Sequence, residues 1–205
     1  MFDAVSNATV TLSVAALRAR REFPVPAGAL WVFGYGSLMW DPAIPHDRAC
    51  SALLRGYHRA FCIYSVGHRG THEQPGLVLG LNRGGACRGL AYRVPAGEVE
   101  QALDALWERE MPRAEYVPRL VRIEIGSRTA RALTFIANTA YTHYAGDLSH
   151  EHTAGVIARG SGSRGHNLDY LRNTLEHLAA LGVRDRGLGR LHQRVLQLQA
   201  VHRAR

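Results

Sequence analysis

The stretch Trp31–Trp40 reads WVFGYGSLMW. Trp31, Val32 and Phe33 are aromatic and β-branched, the composition of a short buried strand. The strand runs directly into Gly34-Tyr35-Gly36-Ser37-Leu38. Glycine lacks a Cβ, so two glycines around one tyrosine allow positive φ and let the backbone come close to a ligand. Such a turn can aim the successive N–H groups of Gly36, Ser37 and Leu38 at one point, where they would hold an anion or a developing oxyanion. An ordinary tight turn at a strand end has the same composition, because Gly-x-Gly is common.

Upstream, residues 1–28 read as a peripheral extension. Val10, Val14 and Leu17 share a helical face, and Pro24 and Pro26 break the chain before Trp31. The apolar run 8–17 has Asp3 ahead of it and arginines behind, the wrong polarity for an export signal. Downstream, the β-rich run Ala52–Val66 predicts a long strand bent at Gly56. A loop over 67–76 (GHRGTHEQPG) follows. Two further strands are expected at Leu77–Leu81 and Arg88–Val94, joined by a turn at Asn82-Arg83-Gly84-Gly85.

A helix is predicted over Ala96–Met111, stopped by Pro112. Val99, Leu103 and Leu106 recur on one face, and at about 100° per residue the next position on that face is Glu110, with Glu108 opposite. An acid that continues an apolar stripe at a helix C-terminus has its charged form disfavoured by the dipole and by desolvation, so its pKa is expected to rise. The alternative is a partly buried Glu110 paired with one of the many arginines.

Strands are expected again at Val117–Ile125 and Ala130–Asn138, then helices. Ser149 can cap one that runs to about Arg159. The loop RGSGSRG leads into a second, lined by Leu168, Leu171, Leu175 and Leu178 and ended by Gly182. Leu188, Leu191, Val195 and Leu198 line a third. Strands with one inserted helix, followed by helices, predict an α+β fold whose sheet curls into a barrel. Without repeats or a linker, the organisation reads as an extension over 1–28, one domain over 29–185, and a C-terminal helix over 186–205 packed on it or extending it.

Composition bounds the function. The chain of 205 residues, 46% hydrophobic and 20% charged, fits one soluble globular domain, and no apolar run reaches the length of a membrane helix. Cys50, Cys62 and Cys87 are odd in number and lack metal spacing, which predicts free thiols in a reducing cytoplasm. The net charge is +8, and all 25 basic residues are arginine. The absence of lysine excludes Schiff-base chemistry and an ordinary P-loop. The arginines are scattered, without a basic run interleaved with aromatics. That favours a field drawing in acidic small molecules over nucleic-acid binding.

His150-Glu151-His152 is the densest cluster among 11 histidines. No HExxH is present, and neighbours at a helix start do not face one ligand position, so they read as solvated and no metal site is expected. Ser37 lacks the Gly-x-Ser-x-Gly elbow of a nucleophile, and Cys62 inside a strand reads as core. The turn at Tyr35–Leu38 and the carboxylate of Glu110 remain. Together they suit an acyl transfer whose nucleophile comes from the substrate, with the acid moving protons and the turn stabilising a tetrahedral oxyanion.

FGYGSLMW at 33–40 resembles the signature turn of the ChaC branch of the γ-glutamylcyclotransferases. The resemblance continues through GYHRAF at 56–61, HRG at 68–70, PG at 75–76, GLAYRV at 89–94, REM at 109–111 and GHNLDYL at 165–171, in family order over about residues 30–180. It implies a small mixed β-barrel with flanking helices, no metal or organic cofactor, and release of 5-oxoproline from a γ-glutamyl substrate, usually glutathione. It also implies that Glu110 is the acid/base and that Tyr35, Gly36, Ser37 and Leu38 hold the γ-glutamyl part, with Arg69 and Tyr116 as further contacts. The partner implied is a small molecule, not nucleic acid or a membrane; oligomeric state is left open.

Two departures bear on substrate choice. Where some family members carry Gly-Gly-Tyr after the acid, this chain has Ala114-Glu115-Tyr116. The glycine loop before His166 is also longer than in some relatives. Cyclisation of other γ-glutamyl amines, removal of a γ-glutamyl protecting group, and a non-catalytic regulatory protein that retains the pocket stay open at this point.

Overall fold

In the computed structural model of the chain, residues 14–203 are described, with side chains from 18 to 201. Strands β1 (Leu30–Gly34), β2 (Arg48–Ser65), β3 (Gly76–Val94), β4 (Tyr116–Ile125) and β5 (Arg128–Ala137) close into a barrel in the order β1-β3-β2-β4-β5. All neighbours are antiparallel except β1 and β5, which run parallel with Trp31 opposite Ala132 and Val32 opposite Leu133. Closure pairs the strands around the barrel, while β2 and β3 continue together beyond it from Tyr57 to Ser65 and from Gly76 to Arg83.

Helix α1 spans Val14–Glu22 and α2 spans Val99–Glu110. After the sheet come α3 (His150–Arg159), a hairpin of β6 (Ser161–Gly162) and β7 (Gly165–His166), α4 (Asn167–Ala180) and α5 (Arg186–Arg203). Successive residues of β1 serve opposite faces: Leu30 and Val32 pack with α2, whereas Phe33 and Tyr35 join the core shared with α3, α4 and α5. Trp107 of α2 is fully buried between Phe23 and Phe135, with ring centroids 5.3 and 5.7 Å away. Arg20 straps α1 to α2 through Asp104, at 2.9 Å, and Glu100. The part of the expected first helical face at Val10 lies outside the described residues.

Two expectations are corrected. The turn at Asn82–Gly85 does not exist, because β3 is one strand of 19 residues. Arg55 faces Ala86 and Tyr57 faces Arg83, with Gly56 (φ +82°), Gly84 (φ +96°) and Gly85 (φ +68°) between them. Glycines at the same level of both strands let them kink together as a bulge, and pairing then resumes. The turn after β1 is also built differently from the expectation: neither Gly34 nor Gly36 takes positive φ. They are needed for space. A Cβ on Gly34 would lie 2.8 Å from the Cβ of Leu38, and one on Gly36 would lie 3.0 Å from the Tyr170 hydroxyl.

Ser149 caps α3, its Oγ accepting from the His152 N–H at 3.2 Å. Buried Asn167, the first residue of α4, accepts from the Leu77 N–H and donates to the Leu77 carbonyl, both at 2.7 Å. It mimics one rung of a sheet and fixes α4 to β3. Cys50, Cys62 and Cys87 are unbridged. Among the described residues, no helix is long and apolar enough to cross a membrane.

Candidate active site

The chain leaves β1 and winds into a 3-10 turn at Ser37–Met39. Met39 N–H donates to the Gly36 carbonyl at 2.8 Å, and Asp41 N–H to the Ser37 carbonyl at 3.0 Å. The N–H groups of Gly36, Ser37 and Leu38 open the turn and, among the described residues, donate to no backbone carbonyl. Buried Tyr92 locks the far side of the turn, its hydroxyl reaching the carbonyls of Leu38 at 2.8 Å and Met39 at 3.2 Å.

That turn lines a cavity of only 20 Å³ together with Tyr35, Leu79, Glu110, Tyr116, Phe135 and Tyr170. Tyr35 and Tyr116 are committed to its walls: their hydroxyls donate to the carbonyls of Phe135 at 2.7 Å and Leu79 at 2.9 Å. Burial raises the pKa of both phenols far above the ordinary value and that of Tyr170 to about 12, so all three stay protonated donors.

Glu110 is the last residue of α2, and its side chain is 13% exposed. The desolvation of its carboxylate raises its pKa, and repulsion from Glu115 adds to this. Arg109 opposes the rise by charge and hydrogen bond, and Arg164 opposes it by charge, but burial wins. Both sequence readings of Glu110 hold at once, since it is desolvated and also paired, with Arg109 Nε 3.0 Å from its Oε1. Glu108 is exposed, and Glu115 Oε2 accepts from the backbone N–H of Arg113 at 3.1 Å.

Arg109 is the residue that sequence reasoning missed. Its Nη2 donates to Ser37 Oγ at 3.0 Å and its Nη1 to the Asp41 carbonyl, so one guanidinium joins the acid to the amide turn. Tyr170, Leu79 and Phe135 were missed as well. The signal for Tyr170 was its place in GHNLDYL, and for Arg109 its place in REM.

Arg69 lies elsewhere. Its Nη1 donates to the carbonyls of Arg164 and His166, and its guanidinium stacks 5.4 Å from the centre of the Tyr170 ring. It clamps the β6–β7 hairpin against a wall residue and does not line the cavity. In the His150-Glu151-His152 cluster, Glu151 pairs with Arg194 at 2.9 Å and His152 Nε2 is 3.1 Å from the Tyr64 hydroxyl. Among the described residues, no group of His, Cys, Asp and Glu could hold a metal ion.

The closed mixed barrel with flanking helices is the fold of γ-glutamyl cyclotransferases. A yeast γ-glutamyl cyclotransferase specific to glutathione superposes with a TM-score of 0.77 at 22% identity, over 83% of this chain and 96% of the yeast one. The ChaC-like protein family model matches residues 30–198, and the chain belongs to that family. The glutathione-specific gamma-glutamylcyclotransferase of Escherichia coli (strain K12) is 41% identical over 174 residues, 84% of this chain and 75% of the relative. The human glutathione-specific gamma-glutamylcyclotransferase 1 is 33% identical over 169 residues, 78% of this chain and 76% of that one.

Proposed function

We propose that this γ-glutamylcyclotransferase cleaves glutathione by intramolecular aminolysis, giving 5-oxoproline and Cys-Gly. The observation that carries the reading is a desolvated carboxylate, Glu110, sharing one cavity with the amides of Gly36, Ser37 and Leu38, which donate to no backbone carbonyl among the described residues. The names of the E. coli and human relatives support glutathione as the substrate.

In this scheme Glu110 takes a proton from the substrate α-ammonium. The freed amine attacks the γ-carbonyl carbon of the same molecule, and the new C–N bond closes a five-membered lactam. The oxyanion faces the amides of the turn, which stabilise it without reorganising. Protonated Glu110 then gives its proton to the departing cysteinyl nitrogen as the old C–N bond breaks, and the extra proton left on the ring nitrogen follows through the same carboxylate, so the lactam is neutral and Cys-Gly leaves as an ammonium. No water is consumed. A raised pKa suits Glu110 to both steps, because a shuttle works best near the operating pH. Attack within one molecule also carries a proximity advantage once the γ-glutamyl chain is held curled. Unbridged Cys50, Cys62 and Cys87 fit the reducing cytoplasm in which a thiol substrate persists.

The test is incubation of the pure protein with glutathione and nothing else. The expected products are 5-oxoproline and Cys-Gly. Glutamate in place of 5-oxoproline would mean hydrolysis and would overturn the reading.

A further inference from the structure

We propose that Arg113 and Arg164 form a subsite for the carboxylate at the far end of the substrate, so that the site selects γ-glutamyl peptides over γ-glutamyl amines. The proposal rests on the glutathione reading above and extends it to the half of the molecule that leaves.

Arg164 sits at the tip of the β6–β7 hairpin, and its backbone is held from both sides. Its N–H donates to the His68 carbonyl at 2.9 Å, its own carbonyl accepts from Arg69, and Ser163 N–H donates to the Gly67 carbonyl at 2.9 Å. A Cβ on Gly162 would fall 2.5 Å from the Gly67 carbonyl oxygen, so the hairpin lies directly on the Gly67–His68 backbone. Arg113 follows Glu110 by three positions in the sequence. Its Nη1 is 3.7 Å from where a Cβ of Gly67 would stand. Both arginines therefore meet the Gly67–His68 backbone, near enough for Arg164 to act on Glu110 and for both to act on His68.

Both are exposed, and among the described residues neither guanidinium has a hydrogen bond or an ion pair. Glu115, the nearest acid in sequence to Arg113, spends Oε2 on the Arg113 backbone instead. The other two arginines of this region are occupied: Arg109 by Glu110, Ser37 and Asp41, and Arg69 by carbonyls and Tyr170. Two cations beside one backbone segment, neither in an ion pair among the described residues, attract an anion and are relieved by it. With the γ-glutamyl end in the cavity, the Cys-Gly half extends outward, two residues that reach about 7 Å when extended. Its formal charge is the glycine carboxylate. A γ-glutamyl amine has no such group.

The test compares glutathione with its glycine amide, which lacks that carboxylate, by kcat/KM for 5-oxoproline release. The wild-type protein is expected to prefer glutathione by about tenfold, the size of a charge-assisted hydrogen bond. About 1 M salt should shrink the preference, because salt screens exposed charges. In Arg164→Gln combined with Arg113→Gln, compared on the pH plateau above the acid limb so that the lost Arg164 charge at Glu110 does not enter, glutathione should fall to the rate of the amide while the amide changes little. Equal loss on both substrates in that variant, or no preference in the wild type, overturns the subsite. Failure of the wild type to release 5-oxoproline from either substrate overturns the glutathione reading itself and the subsite with it.

Discussion

Arg109 Nε lies 3.0 Å from Glu110 Oε1, an ion pair between chain neighbours at the end of α2. The side chains are 15% and 13% exposed, so both charges are largely removed from water. Such a pair contributes little net stability, because desolvation cancels much of the attraction. What it fixes is position: the guanidinium that holds the acid also holds Ser37 Oγ at 3.0 Å. Acid and amide turn therefore move as one unit.

Replacing the acid separates its role from that of its neighbours. Glu110→Gln keeps the shape but cannot carry a proton, and a lost general acid/base typically costs about 10²- to 10⁴-fold in rate. Exposed Glu108→Gln is expected to keep nearly full activity and to stay within about 0.5 kcal/mol in stability. Glu115→Gln should also turn over. Measuring kcat for the three variants decides it, and a dead Glu115→Gln beside an active Glu110→Gln would show that the acid is wrongly assigned.

The pH profile should carry the same signature. In the proposed scheme Glu110 acts first as a base, so kcat is expected to rise with pH through a value above the ordinary carboxylate range. Arg109→Gln removes the largest influence holding that pKa down and should move the acid limb to higher pH. Glu115→Gln removes a repulsion and should move it to lower pH. Arg109→Gln with an unmoved limb would rule out this coupling.

Stability should respond in the opposite sense to activity. Folded Glu110 binds its proton more tightly than the unfolded chain does, so the unfolded state holds fewer protons between the ordinary and the raised pKa. Stability from this group is full at low pH and is lost as pH rises through the raised value. Thermal melts from about pH 4 to about pH 8 are expected to show a downward slope that Glu110→Gln flattens.

The space for the turn can be tested at Gly34. A methyl there would meet Leu38 Cβ at 2.8 Å and Leu38 backbone carbon at 3.3 Å. Overpacking of this kind costs about 1–3 kcal/mol. Denaturant titration of Gly34→Ala should show that loss, with activity reduced as well, because the displaced residue carries one of the three amides.

Arg69 distinguishes a clamp from a ligand contact. Arg69→Met keeps an aliphatic stem near Tyr170 but loses the bonds to the Arg164 and His166 carbonyls. The expected cost is about 1 kcal/mol of stability, discounted for partial exposure. Unchanged stability with a large rise in KM would instead make Arg69 a substrate contact.

Much of this molecule is written locally. β1 follows from its aromatic and β-branched composition, and β4 and α2 from the spacing of their apolar residues, since burial on one face leaves a period of two or of about 3.6. Ser149 as a cap and Glu110 on the buried stripe follow from the same local rules. So does the direction of its pKa shift, because desolvation on the buried face outweighs the pull of Arg109 and Arg164. Gly84 and Gly85 fit either structure, because a bulge and a turn demand the same residue; only the partner strand, with Gly56 opposite, decides between them. The parallel pairing of β1 with β5 is likewise a matter of barrel closure.

What only the tertiary structure decided is which distant groups meet the acid. Arg109 reaches Ser37 across 72 positions, and Asn167 docks on Leu77 across 90, carrying Tyr170 to the cavity wall. A hydrogen bond between distant segments imposes no period on either one, so nothing in the local pattern marks Arg109 as the link between acid and turn. Nor does it mark Arg69 as spent on a hairpin while Arg113 and Arg164, among the described residues, form no ion pair. Twenty-five arginines look alike in the chain. Their roles diverge because folding gives some of them partners and leaves others facing solvent.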